Sequence, residues 1–476
     1  MFPQLTRLLL TLSSGLVLGA CIPQRLVEPH NKVLDRPAGT GDPQRGEALV
    51  LNTTFTHVGL PLELMRHLDR DDAAGIFGQQ EHTRQPKGRS GINRWIPAQT
   101  VAAMEGGAVV IKPNCLTCHA GALLGNTVVG LGNSFTDSTT NLLETRLFDR
   151  AWVESLKLSP ESQAQYERWA AATAPYLPYT VSTSVGTSTA VTFTAYFFNH
   201  RDPESYSWVE QERYPVPDLP NLELDIPAWW LMKKKDVLYY AGEAAGDPTR
   251  HIMQFFSAPL NTMEDLSQNE ANFRDIVAYL KQVEPPRWPY EVDTALATQG
   301  QGIFNEVCAS CHGTYGEAGV YPNKVVDIDR VGTDPERYNF TKTVDGINRY
   351  NITWHAKGGG QMVETPGYIA PPLDGVWATA PYLHNGSVPT LADLLGPSSQ
   401  RPDVFIRGST SHDFDREKVG WMVEVLDHPQ AEEKDPARHR RTYDTHLWGK
   451  SNQGHEFGAK LSPGERKAVL EYLKTL

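Results

Sequence analysis

Two five-residue runs, Cys115-Leu116-Thr117-Cys118-His119 and Cys308-Ala309-Ser310-Cys311-His312, constrain this chain more than any other feature. Each puts two thiols three residues apart, with an imidazole directly behind the second. Two cysteines at this spacing can add across the vinyl groups of one haem while the histidine turns onto its iron. Zinc sites also use cysteines so spaced, but the adjacent histidine and the duplication disfavour zinc. The chain therefore reads as carrying two covalently bound c-type haems, attached through Cys115, Cys118, Cys308 and Cys311. His119 and His312 are the proximal iron ligands. The fifth and last cysteine is Cys21, so no pair is left for a disulfide.

The N-terminus reads as an export signal. Arg7 precedes a mostly apolar stretch at residues 8–18, closed by Leu18-Gly19-Ala20-Cys21. That ending resembles a bacterial lipobox, which implies removal of residues 1–20, acylation of Cys21 and anchoring by lipid; an ordinary secretory signal with a chance cysteine is the alternative. Either sends the chain out of the cytoplasm, and the lipobox places it in the periplasm or at the cell surface, on a membrane and by preference the outer one. No later segment is long and apolar enough to span. Cleavage removes one arginine and no acid, taking the net charge from −12 to −13. Nucleic acid is thereby excluded as a partner, since phosphate neutralisation needs a basic surface. An acidic protein suits a basic electron donor.

The 476 residues allow two or three domains. Residues 21–45, with Pro23, Pro29, Pro37 and Pro43, read as a flexible tether. A first haem domain follows over 46–289, and a second over 290–476. The proline-rich Val283-Glu284-Pro285-Pro286-Arg287-Trp288-Pro289 separates them. A weak repeat supports the division: Val277-Ala278-Tyr279-Leu280-Lys281 and Leu470-Glu471-Tyr472-Leu473-Lys474 close the two halves. Ser267 is the expected start of the first closing helix, and Ser462-Pro463-Gly464-Glu465 that of the second. Residues 293–307 read as a helix leading into the second motif. A helix, a haem motif and a closing helix resemble the cytochrome c fold. The expected class is thus mainly α, two cytochrome c-like domains, with a large and partly irregular insertion at 150–230 in the N-terminal half. Its Thr/Ser/Val-rich and proline-rich parts, 178–194 and 214–227, are expected as strands or extended loops roofing a haem.

The sixth coordination position separates an electron carrier from an enzyme, because a second strong protein ligand closes the iron to small oxidants. After His119 the next histidine is His200, with no methionine between. The second half offers His355, Met362, His384, His412, Met422, His428, His439, His446 and His455. His455 is favoured, in a loop just before the terminal helix, with His384 next. The first haem is expected to lack a local sixth ligand.

The run from Ala370 to Leu391, containing Pro381-Tyr382-Leu383-His384-Asn385-Gly386-Ser387, resembles the bacterial di-haem cytochrome c peroxidase and MauG superfamily. Asn114 to Ala120, Gly130-Leu131-Gly132-Asn133, Pro227-Ala228-Trp229-Trp230, and Arg401-Pro402 with Phe405 and Gly408 resemble the branch that holds the rubber oxygenases. The resemblance implies that the N-terminal haem binds hydrogen peroxide or dioxygen while a six-coordinate C-terminal haem transfers electrons. It matches His455 to the distal ligand of that second haem and makes His384 a supporting residue. It also places Trp229 and Trp230 between or beside the haems, where one could relay an electron, core packing being the alternative; Tyr239 and Tyr240 are candidates for the first distal pocket. Family peroxidases bind a calcium ion between the domains, which leaves room for one here. They also carry a capping histidine soon after the first motif, and residues 120–199 contain none.

Acid–base candidates near the first iron are Glu144, His200, Asp202 and Glu243, none fixed by spacing. Lys233-Lys234-Lys235 is a candidate docking patch. The leading expectation is an exported peroxidase-type oxidoreductase fed by a small electron-donor protein or a quinol-linked cytochrome. A dioxygenase resembling the rubber oxygenases, acting on an apolar substrate, is the alternative. A tethered electron carrier without a substrate is the third reading.

Overall fold

The computed structural model describes residues 41–68, 86–90, 93, 100–214 and 218–476. The signal segment 1–20, Cys21 and nearly all of the tether lie outside the described residues. Among the described residues, helix accounts for 40% and strand for 14%.

Two helix pairs organise the chain. In the second half, Asp293 caps the helix Thr294–Val307 by accepting from the Leu296 amide at 3.0 Å. This helix crosses the terminal helix Pro463–Leu473, which starts with a capping box between Ser462 and Glu465, as the sequence predicts. Gly300 permits the crossing, since a Cβ there would lie 1.9 Å from the Ala468 carbonyl oxygen. Phe304 and Tyr472 pack at 5.3 Å across it. In the first half, the helix Pro43–Asn52 crosses Met263–Leu280 in the same way. The Arg45 guanidinium pairs with Asp275. Two expectations shift here. The first helix begins inside the stretch read as tether, because Asp42 accepts from the Gln44 and Arg45 amides and Pro43 supplies a pre-set first turn. The longer helix starts at Met263 rather than beyond Ser267: Thr262 and Asp265 form a complete capping box, and Ser267 bonds back to the Met263 carbonyl inside the helix.

The first motif is entered from a sheet. Strands Leu60–Pro61, Ala108–Pro113 and Thr100–Glu105 pair antiparallel in that order, and the hairpin turns at Gly106-Gly107. A second hairpin, Ala120–Leu123 with Asn126–Val129, leaves the motif. Neither was expected.

The insertion departs from expectation too. In the first part a 3-10 turn at Leu177–Thr180 and the helix Ala190–Asn199 replace the expected strands, while residues 181–189 between them are loop, as the other expectation has it. Phe193, Tyr196 and Phe197 share one face of that helix, and burial there overrides the Thr/Ser-rich composition. Residues 218–227 are extended, with Leu224 bridging Ser188.

All described residues belong to one compact unit. The largest core joins Leu131 and Trp230, before the proline-rich segment, to Phe304, Trp377, Trp421 and Leu470 after it. No helix among the described residues is long and apolar enough to cross a membrane.

Candidate functional site

The second motif follows directly from its helix: one turn, Ala309–His312, ends at Gly313 with φ 81°. The Pro371 carbonyl accepts from His312 Nδ1 at 2.8 Å, which turns the other ring nitrogen away from the backbone. Across from it stands His455. Their ring centroids are 6.1 Å apart, at an interplanar angle of 59°. Metal–nitrogen bonds of about 2 Å on each side, plus the radius of each ring, give about 6 Å for two imidazoles sharing one metal. His455 Nδ1 is buried without a hydrogen-bond partner.

The loop holding His455 is braced on three sides. His455 takes a left-handed conformation, φ 53°, and its amide donates to the Val331 carbonyl at 2.7 Å. The Arg401 guanidinium donates to the Asn452 and Gly454 carbonyls, and Glu456 accepts from the Ser398 amide at 2.8 Å. Burial, helped by His312 and Arg401, pulls His455 down to about 3, and burial lowers His312 as well. Both are held neutral, the form that ligates a metal.

The first motif is clasped by Asn133. Its amide donates to the Cys118 carbonyl at 2.8 Å and its side chain to the Thr117 carbonyl at 3.1 Å. Gly132 beside it allows the chain to pass the Ile226 carbonyl, which a Cβ would meet at 1.9 Å. The His119 ring stacks on Trp229 at 4.8 Å and 29°. Burial pulls His119 down to about 3, with the Pro227 carbonyl opposing.

A single cavity of about 940 Å³ takes in both motifs. The histidines on its wall are His119, His312, His384 and His455. Phe55, Ile252, Phe256, Ile276 and Leu280 line it and share an apolar cluster with Cys115; Phe304, Val376, Leu391 and Val469 do the same with Cys308. The residues present therefore fit two haems: paired thiols and an imidazole at each motif, apolar walls between, and a second imidazole only at His312.

His384 lines the cavity but faces tyrosines. Its ring lies 4.4 Å from that of Tyr368 and 6.0 Å from that of Tyr240, and burial, aided by Arg337, draws it down to about 3. Tyr239 and Tyr240 also line the cavity, with hydroxyls donating to the His251 carbonyl at 3.1 Å and the Asp225 carbonyl at 3.0 Å. Trp230 donates to the Asp374 carbonyl at 2.8 Å and belongs to the core around Cys308, while Trp229 belongs to the one around Cys115. Adjacent tryptophans thus reach both clusters.

Three of the four acid–base candidates stay off the cavity wall. Glu144 is exposed and bonds Asn141, His200 stacks on Trp208, and Asp202 caps the turn at Glu204 and Ser205. Glu243 lines the cavity, tied to Arg337. The lysine run is largely neutralised, Lys233 by Glu284 at 2.6 Å and Lys234 by Asp374 at 2.7 Å. Two bracing residues were not singled out for these roles: Asn133 and Arg401 lay in quoted runs, but their carbonyl partners are set by tertiary packing. Arg337 carried no signal, since its acid lies 94 positions away.

A family model described as RoxA-like, cytochrome c-like matches residues 367–406. Within the second half, this segment is similar to RoxA-like cytochrome c. The matched segment supplies Pro371, which orients His312, and Arg401, which braces the His455 loop. Two uncharacterized proteins of Sinorhizobium fredii (strain NBRC 101917 / NGR234) are similar at 28% identity. For y4iJ the match covers 41% of this chain and 41% of the relative, and for y4iM 54% and 66%. The chain thus spans less than two thirds of either relative. Among solved structures, hydrazine synthase of Kuenenia stuttgartiensis, pressurized with xenon, is similar at 13% identity with a TM-score of 0.25, over 64% of this chain and 92% of that one.

Proposed function

We propose that this chain is an exported, lipid-anchored di-haem oxidoreductase in which Cys115, Cys118 and His119 would hold a haem open to the oxidant, and Cys308, Cys311, His312 and His455 would hold one that serves electron transfer. The observation that carries it is the ligand asymmetry: a second imidazole faces His312 at 6.1 Å, and no further histidine on the cavity wall pairs with His119. Bound haem supplies the redox chemistry. The chain's own part is to hold each imidazole neutral, keep one site closed and line the other.

The lining favours an organic substrate over peroxide alone. Phe55, Ile252, Phe256 and Ile276 present no proton donor, the Tyr239 and Tyr240 hydroxyls are committed to the His251 and Asp225 carbonyls, and Glu243 is committed to Arg337. Peroxide cleavage benefits from a poised acid or base at the iron. Dioxygen chemistry on an apolar compound, as in the RoxA-like branch, fits this wall better. Trp229 and Trp230 are neighbours along the chain, one in each cluster, and as the aromatic pair between them are the natural electron route. A small electron-donor protein or a quinol-linked cytochrome completes the scheme.

Electron paramagnetic resonance of the oxidised protein tests it. One high-spin and one low-spin ferric signal are expected, with His455→Ala converting the low-spin signal to high-spin. Two low-spin signals would make the protein an electron carrier instead. Consumption of dioxygen with a polyene, against consumption of hydrogen peroxide with a reduced cytochrome, separates the two enzymatic readings.

A further inference from the structure

Charged side chains are sparse on the cavity wall, and most are matched. Glu243 pairs with Arg337, Asp374 with Lys234, Asp225 accepts from Tyr240, and Arg349 donates to Asn199 and lies over Tyr214. Arg330, Lys235 and Arg349 have no carboxylate within ion-pair distance among the described residues, and of these Arg330 and Lys235 also lack the side-chain partners that hold Arg349. Lys235 reaches only the Tyr239 carbonyl, at 3.4 Å. Its burial pushes the ammonium down to about 8, and Glu243, the one acid that opposes this, is already bound by Arg337. A desolvated ammonium with no counter-ion is costly unless an anion arrives.

Both cations flank the same site. Arg330 sits in the turn Ile328–Val331, whose last carbonyl holds the His455 amide at 2.7 Å. Lys235 belongs to a segment fastened to the His312 side: Lys234 lies 4.7 Å over the Tyr315 ring, the Tyr315 hydroxyl donates to the His312 carbonyl at 3.1 Å, and the Asp236 amide donates to Asn323 at 2.8 Å. The backbone that carries Arg330 is thus tied to the distal side of the His312–His455 gap and the backbone that carries Lys235 to the proximal side, and both side chains line the cavity.

We propose that Arg330 and Lys235 bind the two carboxylates of the haem held at His312 and His455, one cation to each. The proposal rests on the reading of this site as a bis-histidine haem. A haem is an apolar disc with two carboxylates on one edge, so a mostly apolar cavity that keeps two unmatched cations at one iron site has the complementary charge. A free organic carboxylate shares that chemistry and is separated below.

The test uses the full-length haem-loaded protein, first checked for two covalent haems by the alkaline pyridine spectrum. Spectroelectrochemical titrations compare the wild type with Arg330→Gln, Lys235→Met and Arg330→Lys. Losing a cation beside a haem carboxylate leaves net negative charge near the iron and favours the ferric state. Each neutral variant is expected to shift the ferric–ferrous equilibrium of the low-spin haem three- to tenfold, a fall in midpoint of up to about 59 mV for one electron. Arg330→Lys should keep most of the wild-type value, and the other haem should not move. Arg330 is exposed, so its variants keep the fold. An unchanged low-spin midpoint in either neutral variant, with both haems bound, overturns the pairing. A shift seen only on adding acetate or octanoate assigns the cations to a free carboxylate and overturns it equally. A protein without a low-spin haem would overturn the reading of the site itself.

Discussion

Replacing Arg401 by methionine isolates the bracing of the His455 loop. The guanidinium is 4% exposed, and it donates to the carbonyls of Asn452 and of Gly454 at 2.9 Å, with longer contacts to Asp393 at 3.3 Å and Leu394 at 3.4 Å. Hydrogen bonds from a charged donor contribute about 1.5–3 kcal/mol each, so the two on the loop carry roughly 4 kcal/mol together. Spread over one cooperative unit, with an unfolding entropy of about 2 cal/mol/K per residue, that is a fall in Tm of only about 4 °C. Spent on loop opening alone, it is about a thousandfold, at 1.4 kcal/mol per decade. The sensitive assay is therefore competition by added imidazole for the iron at His312, followed in the optical spectrum. Arg401→Met should bind imidazole far more tightly than wild type, up to that thousandfold limit, with Arg401→Lys between. Equal imidazole affinity in the variant and the wild type would refute the claim that this arginine holds His455 in place.

Three other outcomes are expected. Gly300→Ala forces a methyl against the Ala468 carbonyl and should cost about 2–3 kcal/mol in a denaturant titration, as overpacking at a helix crossing does; an unshifted midpoint would mean the helices separate freely. Arg337→Met leaves Glu243, 3% exposed, without its partner and should destabilise by about 3–5 kcal/mol, while adding Glu243→Gln should restore most of that; additive losses would contradict a coupled pair. His355 is fully buried, bonded to the Tyr206 hydroxyl and the Arg250 carbonyl, and burial draws it down to about 3. The unfolded chain then takes up a proton near pH 6.5 that the native state refuses, so stability falls as pH drops from about 6.5 towards 3 and is insensitive to this group above. His355→Gln should flatten that acid limb, and identical limbs would place the proton elsewhere.

The legible parts of this fold are those where local chemistry and tertiary structure agree. Ser462, Pro463 and Glu465 announce a helix start in any context, and the terminal helix begins there. The first closing helix misled because Ser267 is a plausible cap beside a better one, Thr262 with Asp265. The hairpin turning at Gly106-Gly107 is signalled only by its paired glycines, since Val101-Ala102-Ala103-Met104 and Val109-Val110-Ile111 beside them show no two-residue alternation. The loop before the last helix pointed to His455, and the structure brings that residue opposite His312. The wall around Cys115 was illegible, since Phe55, Ile252 and Ile276 come from three separate segments that only packing unites. Partners such as Pro371 for His312 lie 59 positions apart, beyond any spacing rule.

The one cavity that joins both motifs also bears on how such a chain matures. A cavity of about 940 Å³ is far more space than close-packed side chains leave among themselves, so in the loaded protein haem supplies much of the contact its apolar walls make. A folded protein commands only about 5–15 kcal/mol in all. A chain that has missed its thioether chemistry is therefore expected to be the less stable one, and limited proteolysis should cut it faster than the loaded protein, so that the residues lining the cavity also favour the survival of loaded copies.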